Sequence, residues 1–286
     1  KMHGLGNDFV IVDARARRLV IEAPATRQLA DRHTGIGFDQ LITLETPADA
    51  EADIRVRIFN ADGSEVAACG NAMRSVAHLM VDEHPGNLKI RSDAGLLEAW
   101  RSTTGDAHFS VDMGPARQNW QDIPLAFKCD TDHLPLALGP VSDPVAVNMG
   151  NPHAVFFVTD VEAIDVENLG PELGVNPIFP ERANIGFAEI MAPNVLRLRV
   201  WERGAGLTLA CGTGACDAVV YGINRCWLRD TVIAQLTGGK QTISWESSGH
   251  HVIMSRQPAA GLEGKTKMSG QCQRAQTTPG DLPKRG

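Results

Sequence analysis

This chain repeats itself, and the repeat restricts its fold to a pair of similar halves. Ile54-Arg55-Val56-Arg57-Ile58-Phe59 alternates apolar and basic residues, and so does Leu196-Arg197-Leu198-Arg199-Val200-Trp201, 142 residues later. A period of two is the pattern of a strand with one buried face. Ten residues past Phe59 stands Cys69, in Ala68-Cys69-Gly70, and ten past Trp201 stands Cys211, in Ala210-Cys211-Gly212, so the same offset holds without a gap. Two further matches keep the order. Gly6-Asn7, before an apolar run, returns as Gly150-Asn151 at an offset of 144, and Ile36-Gly37-Phe38 with Gln40 returns as Ile185-Gly186-Phe187 with Glu189 at 149. Ordered matches at near-constant spacing imply an internal duplication, with the halves related by a pseudo-twofold axis.

The 286 residues are long for one compact core and comfortable for two. Gly114-Pro115, followed by the polar run 117–122, is the expected boundary, giving halves over residues 1–115 and 116–264. Residues 265–286, rich in Lys, Gln, Thr, Gly and Pro, match neither half and read as a disordered or artificially appended tail. The opening at Lys1 without an initiator Met suggests that a few residues of the first strand are missing. No apolar run approaches the roughly 18 residues of a membrane helix. A formal net charge of -7 leaves no broad basic field for nucleic acid. No basic segment with an apolar follower opens the chain, so the cytoplasm is expected.

Six cysteines are present: Cys69, Cys129, Cys211, Cys216, Cys226 and Cys272. In a long chain without a leader they read as reduced thiols. Duplication singles out Cys69 and Cys211, and the others read as small buried apolar residues. After Cys69 the apolar positions 73, 76, 77 and 80 share one helical face, so a helix is expected to begin at the cysteine. Gly212-Thr213-Gly214-Ala215 opens a second such helix, with Cys216 on its buried face. A helix N-terminus favours an anion by about 0.3–1 kcal/mol, up to ~2 when partly buried. A thiol there can fall from ~8.5 into the range of roughly 3.5–7.5, within reach of acting as a base near neutrality. Two such thiols on opposite sides of an α-carbon suit inversion: one removes the proton and the other returns one on the far face. Donors from both helix ends would stabilise the charge growing on a neighbouring carboxylate.

Longer motifs carry a family resemblance. They are Lys1-Met2-His3-Gly4-Leu5-Gly6-Asn7-Asp8-Phe9, Gly35-Ile36-Gly37-Phe38-Asp39-Gln40-Leu41, Phe59-Asn60-Ala61-Asp62-Gly63-Ser64-Glu65 and Ala68-Cys69-Gly70-Asn71. The second half adds Gly150-Asn151-Pro152-His153, Arg182-Ala183-Asn184, Trp201-Glu202-Arg203-Gly204-Ala205-Gly206 and Ala210-Cys211-Gly212-Thr213-Gly214-Ala215. With these the sequence resembles the diaminopimelate epimerase family. The resemblance implies an α+β fold of two pseudo-symmetric domains, each a curved, mostly antiparallel sheet or barrel around a central helix. It also implies epimerisation of LL-2,6-diaminopimelate to the meso form, without pyridoxal phosphate or metal, in lysine and peptidoglycan-precursor biosynthesis. Cys69 and Cys211 fall on the family's acid and base, and His153 and Glu202 on residues that tune their protonation. The substrate residues fall on Asn7, Gln40, Asn60, Gly70, Asn71, Asn151, Asn184, Glu202, Arg203, Gly212 and Thr213. A homodimer is implied. One departure is Leu207, where many relatives carry Glu.

Asn60-Ala61 aligns with Glu202-Arg203, so symmetry breaks there. The expectation is that Glu202 and Arg203, as an ion pair, read the distal ammonium and carboxylate of the substrate. Other readings compete. A proline or hydroxyproline racemase would share the two thiols but has no distal zwitterion to bind. A thiol hydrolase, redox or metal-binding protein would use one cysteine with His153, a Cys211–Cys216 disulfide, or zinc on Cys211, Cys216, His250 and His251, leaving Cys69 unexplained. A non-catalytic binding protein has no use for two intact thiols. Pyridoxal phosphate needs a Schiff-base lysine in a phosphate-binding setting, and the sequence shows none.

Overall fold

In a computed structural model of the chain, residues 1–17, 19–66, 69–102, 108–256 and 259–260 are described. The first half opens with strands β1 (Met2–Gly4) and β2 (Asn7–Asp13), followed by helix α1 (Ala23–Ala30), β3 (Gln40–Glu45), β4 (Ile54–Asn60) and the short β5 (Glu65–Val66). Helix α2 (Gly70–Met80) then leads to the meander β6 (Leu88–Ser92), β7 (Gly95–Arg101) and β8 (Phe109–Pro115). A small hairpin, β9 (Ala137–Leu138) and β10 (Val141–Ser142), precedes the repeated strands of the second half. There β11 (Val145–Asn148), β12 (Pro152–Phe157), α3 (Val166–Gly174), β13 (Asn184–Ala192), β14 (Val195–Glu202), β15 (Gly206–Thr208), α4 (Gly212–Asn224), β16 (Thr231–Leu236), β17 (Gly239–Ser244) and β18 (His251–Arg256) repeat the order.

The pairing repeats too. β2 lies antiparallel to β1 and parallel to β3, β3 antiparallel to β4, and β4 carries β5 as a hairpin and runs parallel to β6. In the same way β12 lies antiparallel to β11 and parallel to β13, β13 antiparallel to β14, and β14 carries β15 as a hairpin and runs parallel to β16. The last strands of the halves, β8 and β18, pair antiparallel, and β19 (Ala259–Ala260) returns to β1. The mostly antiparallel, twofold α+β architecture expected from the sequence is what the chain adopts.

The period-two segments are the strands they promised to be. Ile54, Val56 and Ile58 of β4 are buried, as are Leu196, Leu198 and Val200 of β14, while the intervening arginines are only partly covered. These inward faces share one apolar cluster with the central helices. α2 packs on β1, β2, β6, β7 and β8, α4 packs on β11 to β14 and β16 to β18, and the two helices touch each other. Gly212 to Gly222 of α4 are all buried, as expected of a helix enclosed by a sheet. Each fully buried Met73, Val76, Val219 or Val220 contributes roughly 1.5–3 kcal/mol through its apolar surface.

One expected match needs correcting. Ile36-Gly37-Phe38 precedes β3, whereas Ile185-Gly186-Phe187 lies inside β13. The register shows the true correspondence: Leu41 sits between Val10 and Phe59, and Ile185 sits between Ala154 and Trp201. The offset is therefore 144, and Gln40 corresponds to Asn184, not to Glu189. The two glycines do different work. Gly37 makes a left-handed turn at φ +70, while Gly186 is extended and small because Val155 and Leu198 crowd it. The expected tail over 265–286, with Cys272, lies outside the described residues.

Candidate active site

Cys69 and Cys211 are the N-caps of α2 and α4, both in extended conformation, so each helix starts at its cysteine as the spacing predicted. The two starts converge on Met254 of β18. A Cβ on Gly212 would lie 3.1 Å from the Met254 sulfur, and one on Gly70 would overlap the Met254 methyl. Glycine at both first helical positions is what lets the ends approach. The amide oxygen of Asn71 lies 4.0 Å from that Gly212 Cβ position, so the first turns of the two halves are neighbours.

Five pairs of matched positions are made of residues singled out from the sequence. Asn7 corresponds to Asn151, Gln40 to Asn184, Asn60 to Glu202, Gly70 to Gly212 and Asn71 to Thr213. On the first-half side, Gln40 Nε2 donates to Asn60 Oδ1 at 3.2 Å and Asn60 Nδ2 donates to Ser64 Oγ at 3.1 Å. Gln40 Oε1 is buried without a hydrogen-bond partner among the described residues. The loop starts bearing Asn7 and Gln40 are tied by reciprocal bonds between Asp8 and Asp39, both gripped by Arg32.

On the second-half side, Glu202 ends the inward face of β14 and accepts from Thr208 Oγ1 at 2.5 Å. Its carboxyl also faces the Cys211 thiol. Burial raises the Glu202 carboxyl above its ordinary range. Thr213 Oγ1 is 3.5 Å from Cys211 Sγ and 3.1 Å from His153 Nε2. His153 is fully buried on β12, and its Nε2 also lies 3.1 Å from Asn151 Oδ1 and 3.0 Å from Asn184 Nδ2. Burial, with Arg203 adding to it, drives His153 down to about 3, so the ring is neutral. It reaches Cys211 only through Thr213. In the first half, the position equivalent to His153 is held by Phe9.

Two expectations change. Glu202 and Arg203 do not pair: Glu202 turns inward to Thr208 and Cys211, while Arg203 is exposed and its Nη1 donates to the Glu181 carbonyl at 2.9 Å. Their side chains leave the end of β14 in different directions. The Arg203 amide donates to Asn184 Oδ1 at 2.8 Å, so the backbone holds the asparagine. The thiols are also not acidified overall. Burial first pushes Cys69 up to about 11, outweighing the Ala72 and Asn71 amides, and burial with Glu202 pushes Cys211 well above the ordinary range. Desolvation exceeds the pull of a helix end until an opposite charge arrives.

Three participants were not singled out beforehand: Thr208, Arg74 and Asp217. Only Thr208 carried a signal, its place in the hairpin joining Glu202 to Cys211. Among the described residues, Cys211, Cys216, His250 and His251 form no metal-sized group. Cys216 is enclosed in the core, while His250 and His251 face Glu246 and Asp112 at the surface.

A family model described as diaminopimelate epimerase matches residues 1–118 and 145–260. The diaminopimelate epimerase of Acidiphilium cryptum is 51% identical over 266 residues, covering 93% of this chain and 94% of that protein. The one of Rhodospirillum centenum is 45% identical over 284 residues, covering 99% and 94%. Among solved structures, a hydroxyproline epimerase from Agrobacterium vitis aligns with a TM-score of 0.61 at 14% identity, over 83% of this chain and 79% of that one. A PhzF-family phenazine biosynthesis protein from Bacillus anthracis aligns with a TM-score of 0.63 at 15% identity, over 91% and 92%. These two likenesses concern the fold alone.

Proposed function

This chain belongs to the diaminopimelate epimerase family, and from that premise we propose that it interconverts LL- and meso-2,6-diaminopimelate by passing protons at one α-carbon through Cys69 and Cys211. The observation that carries the reading is the convergence of two duplicated helices, each begun by a cysteine, on one methionine. The reacting carboxylate takes the open amides of Gly70, Asn71, Gly212 and Thr213, where charge that grows during deprotonation meets preorganised donors. The substrate's α-ammonium brings a positive charge toward the thiols and so opposes the desolvation that holds their protons.

His153, through Thr213, and Glu202, against Cys211, set the protonation of the second thiol. Asn7, Gln40, Asn60, Asn151 and Asn184 hold the remaining polar groups, and Arg203 takes the distal carboxylate. Neither pyridoxal phosphate nor a metal has a part in this scheme. Among the described residues, no helix is long and apolar enough to cross a membrane. On the family resemblance the enzyme works as a cytoplasmic homodimer, which light scattering after size exclusion tests.

Incubation with LL-diaminopimelate in D₂O tests the activity. Meso product labelled at a single α-carbon is expected. Absence of exchange into diaminopimelate, with exchange into proline, would instead favour a racemase of the same fold.

A further inference from the structure

A buried cation stands behind Cys69 with no acid among the described residues paired to it. Arg74 lies in the second turn of α2 and is 2% exposed. Its guanidinium donates to Asn71 Oδ1 one turn earlier, and at 3.4 Å to Gln241 Oε1 on β17 of the other half. Both partners are neutral, and among the described residues Arg74 enters no ion pair. Arginine is seldom fully buried without a counter-charge, because desolvating it is costly.

The charged and titratable groups facing this region are few. Cys69 and Cys216 would each favour the guanidinium if ionised, Arg256 of β18 opposes it, and Glu202 of β14 acts on the thiols from the second half. Burial lowers Arg74 to about 10, which still leaves it charged at neutral pH. In the duplicated half the position of Arg74 is Cys216, and that of Asn60 is Glu202. The repeat therefore places a cation behind one thiol and an acid beside the other.

We propose that Arg74 is a positioning residue whose charge makes Cys69 the more readily ionised of the two thiols and whose bond to Asn71 holds that residue's amide toward the bound anion. This rests on the two-thiol reading above, but it concerns the free protein. Its counter-ion is the Cys69 thiolate or the reacting carboxylate, whichever is present.

Iodoacetamide alkylation tests it without substrate. The full-length chain, Arg74→Lys, Arg74→Gln and Arg74→Met are reacted between pH 6 and 11, and the Cys69 and Cys211 peptides are followed separately by mass spectrometry. Cys69 should ionise at lower pH than Cys211 in the unsubstituted chain. Arg74→Met and Arg74→Gln should slow Cys69 alkylation about tenfold below its midpoint, with a far smaller effect at Cys211, and Arg74→Lys should restore most of the rate. An unmoved Cys69 profile, equal shifts at both thiols, or a lysine variant no better than methionine would overturn it. If the uncharged variants fail to fold, the order of the two thiols in the unsubstituted chain decides, and Cys211 ionising first sinks the proposal. Since no turnover is read, failure here leaves the epimerase reading to the D₂O experiment.

Discussion

Replacing Asp217 by Asn should expose a titration that the folded protein now masks. Asp217 on α4 is fully buried, neither carboxyl oxygen has a hydrogen-bond partner among the described residues, and Oδ2 lies 3.7 Å from His153 Nε2. At that spacing the two would form an ion pair if both were charged. A buried pair needs further hydrogen bonds to outweigh desolvation, and Asp217 has none, so both groups are neutral. Burial accordingly raises Asp217 well above the ordinary carboxylate range and drops His153 from 6.5 to about 3.

The two shifts act on stability with opposite signs. His153 binds its proton more weakly in the folded state, so its contribution is complete above pH 6.5 and is lost as pH falls toward 3. Between pH 7 and pH 5 that loss is about 2 kcal/mol, and it approaches roughly 5 kcal/mol near pH 3. Asp217 binds its proton more tightly when folded, so its contribution is complete below 3.8 and is lost as pH rises. Between the two ordinary values the contributions therefore act against each other. Urea unfolding of the chain, Asp217→Asn and the double variant His153→Gln/Asp217→Asn at pH 5, 6 and 7 resolves them. Asp217→Asn should gain stability over the parent at pH 7, and this gain should shrink on acidification. Its stability relative to the double variant should fall by about 2 kcal/mol between pH 7 and 5. Parallel pH profiles for all three proteins would mean that neither group's protonation is shifted by the fold, and the argument from burial would fail.

Gly214→Ala puts a Cβ 2.9 Å from His153 Cε1 and 3.1 Å from Nδ1, and the ring is too enclosed to retreat. Turnover should drop tenfold or more, read from kcat/KM, with a smaller loss if His153 is also replaced. Phe187 stacks on Phe156 with ring centroids 5.5 Å apart, and Phe187→Ala should cost about 3–5 kcal/mol in chemical unfolding. Thiol alkylation should abolish turnover while hydroxylamine leaves it intact, and the reverse sensitivity would point to a carbonyl cofactor. Arg203→Lys should raise KM for diaminopimelate with a smaller effect on kcat, whereas an unchanged KM removes Arg203 from distal recognition.

The duplication was legible because strands and helix starts write themselves locally. Alternation in β4 and β14 comes from the pleat, and the cysteines cap their helices because small residues follow each at once. The mistaken match of Ile36-Gly37-Phe38 with Ile185-Gly186-Phe187 has the opposite origin. A tripeptide records composition but not register, and only cross-strand pairing shows that Leu41 and Ile185 are equivalent. The electrostatics were illegible for a related reason. Whether a thiol at a helix start is acidic depends on how much water the rest of the fold removes, and here that cost exceeds the helix contribution.

Corrected for register, the comparison of the halves shows where the symmetry fails. Phe9 answers His153, Asn60 answers Glu202, Ser75 answers Asp217 and Arg74 answers Cys216. The titratable acids and the imidazole gather around Cys211, while the cation stands behind Cys69. A racemising site needs two bases in mirrored places, which duplication supplies, but a working cycle also needs one thiol to hold its proton while the other has lost it. Identical surroundings would leave that choice undetermined. The substitutions between the halves bias it, so the positions that spoil the repeat are the ones to test for function, and Arg74 and Asp217 join Glu202 and His153 in that set.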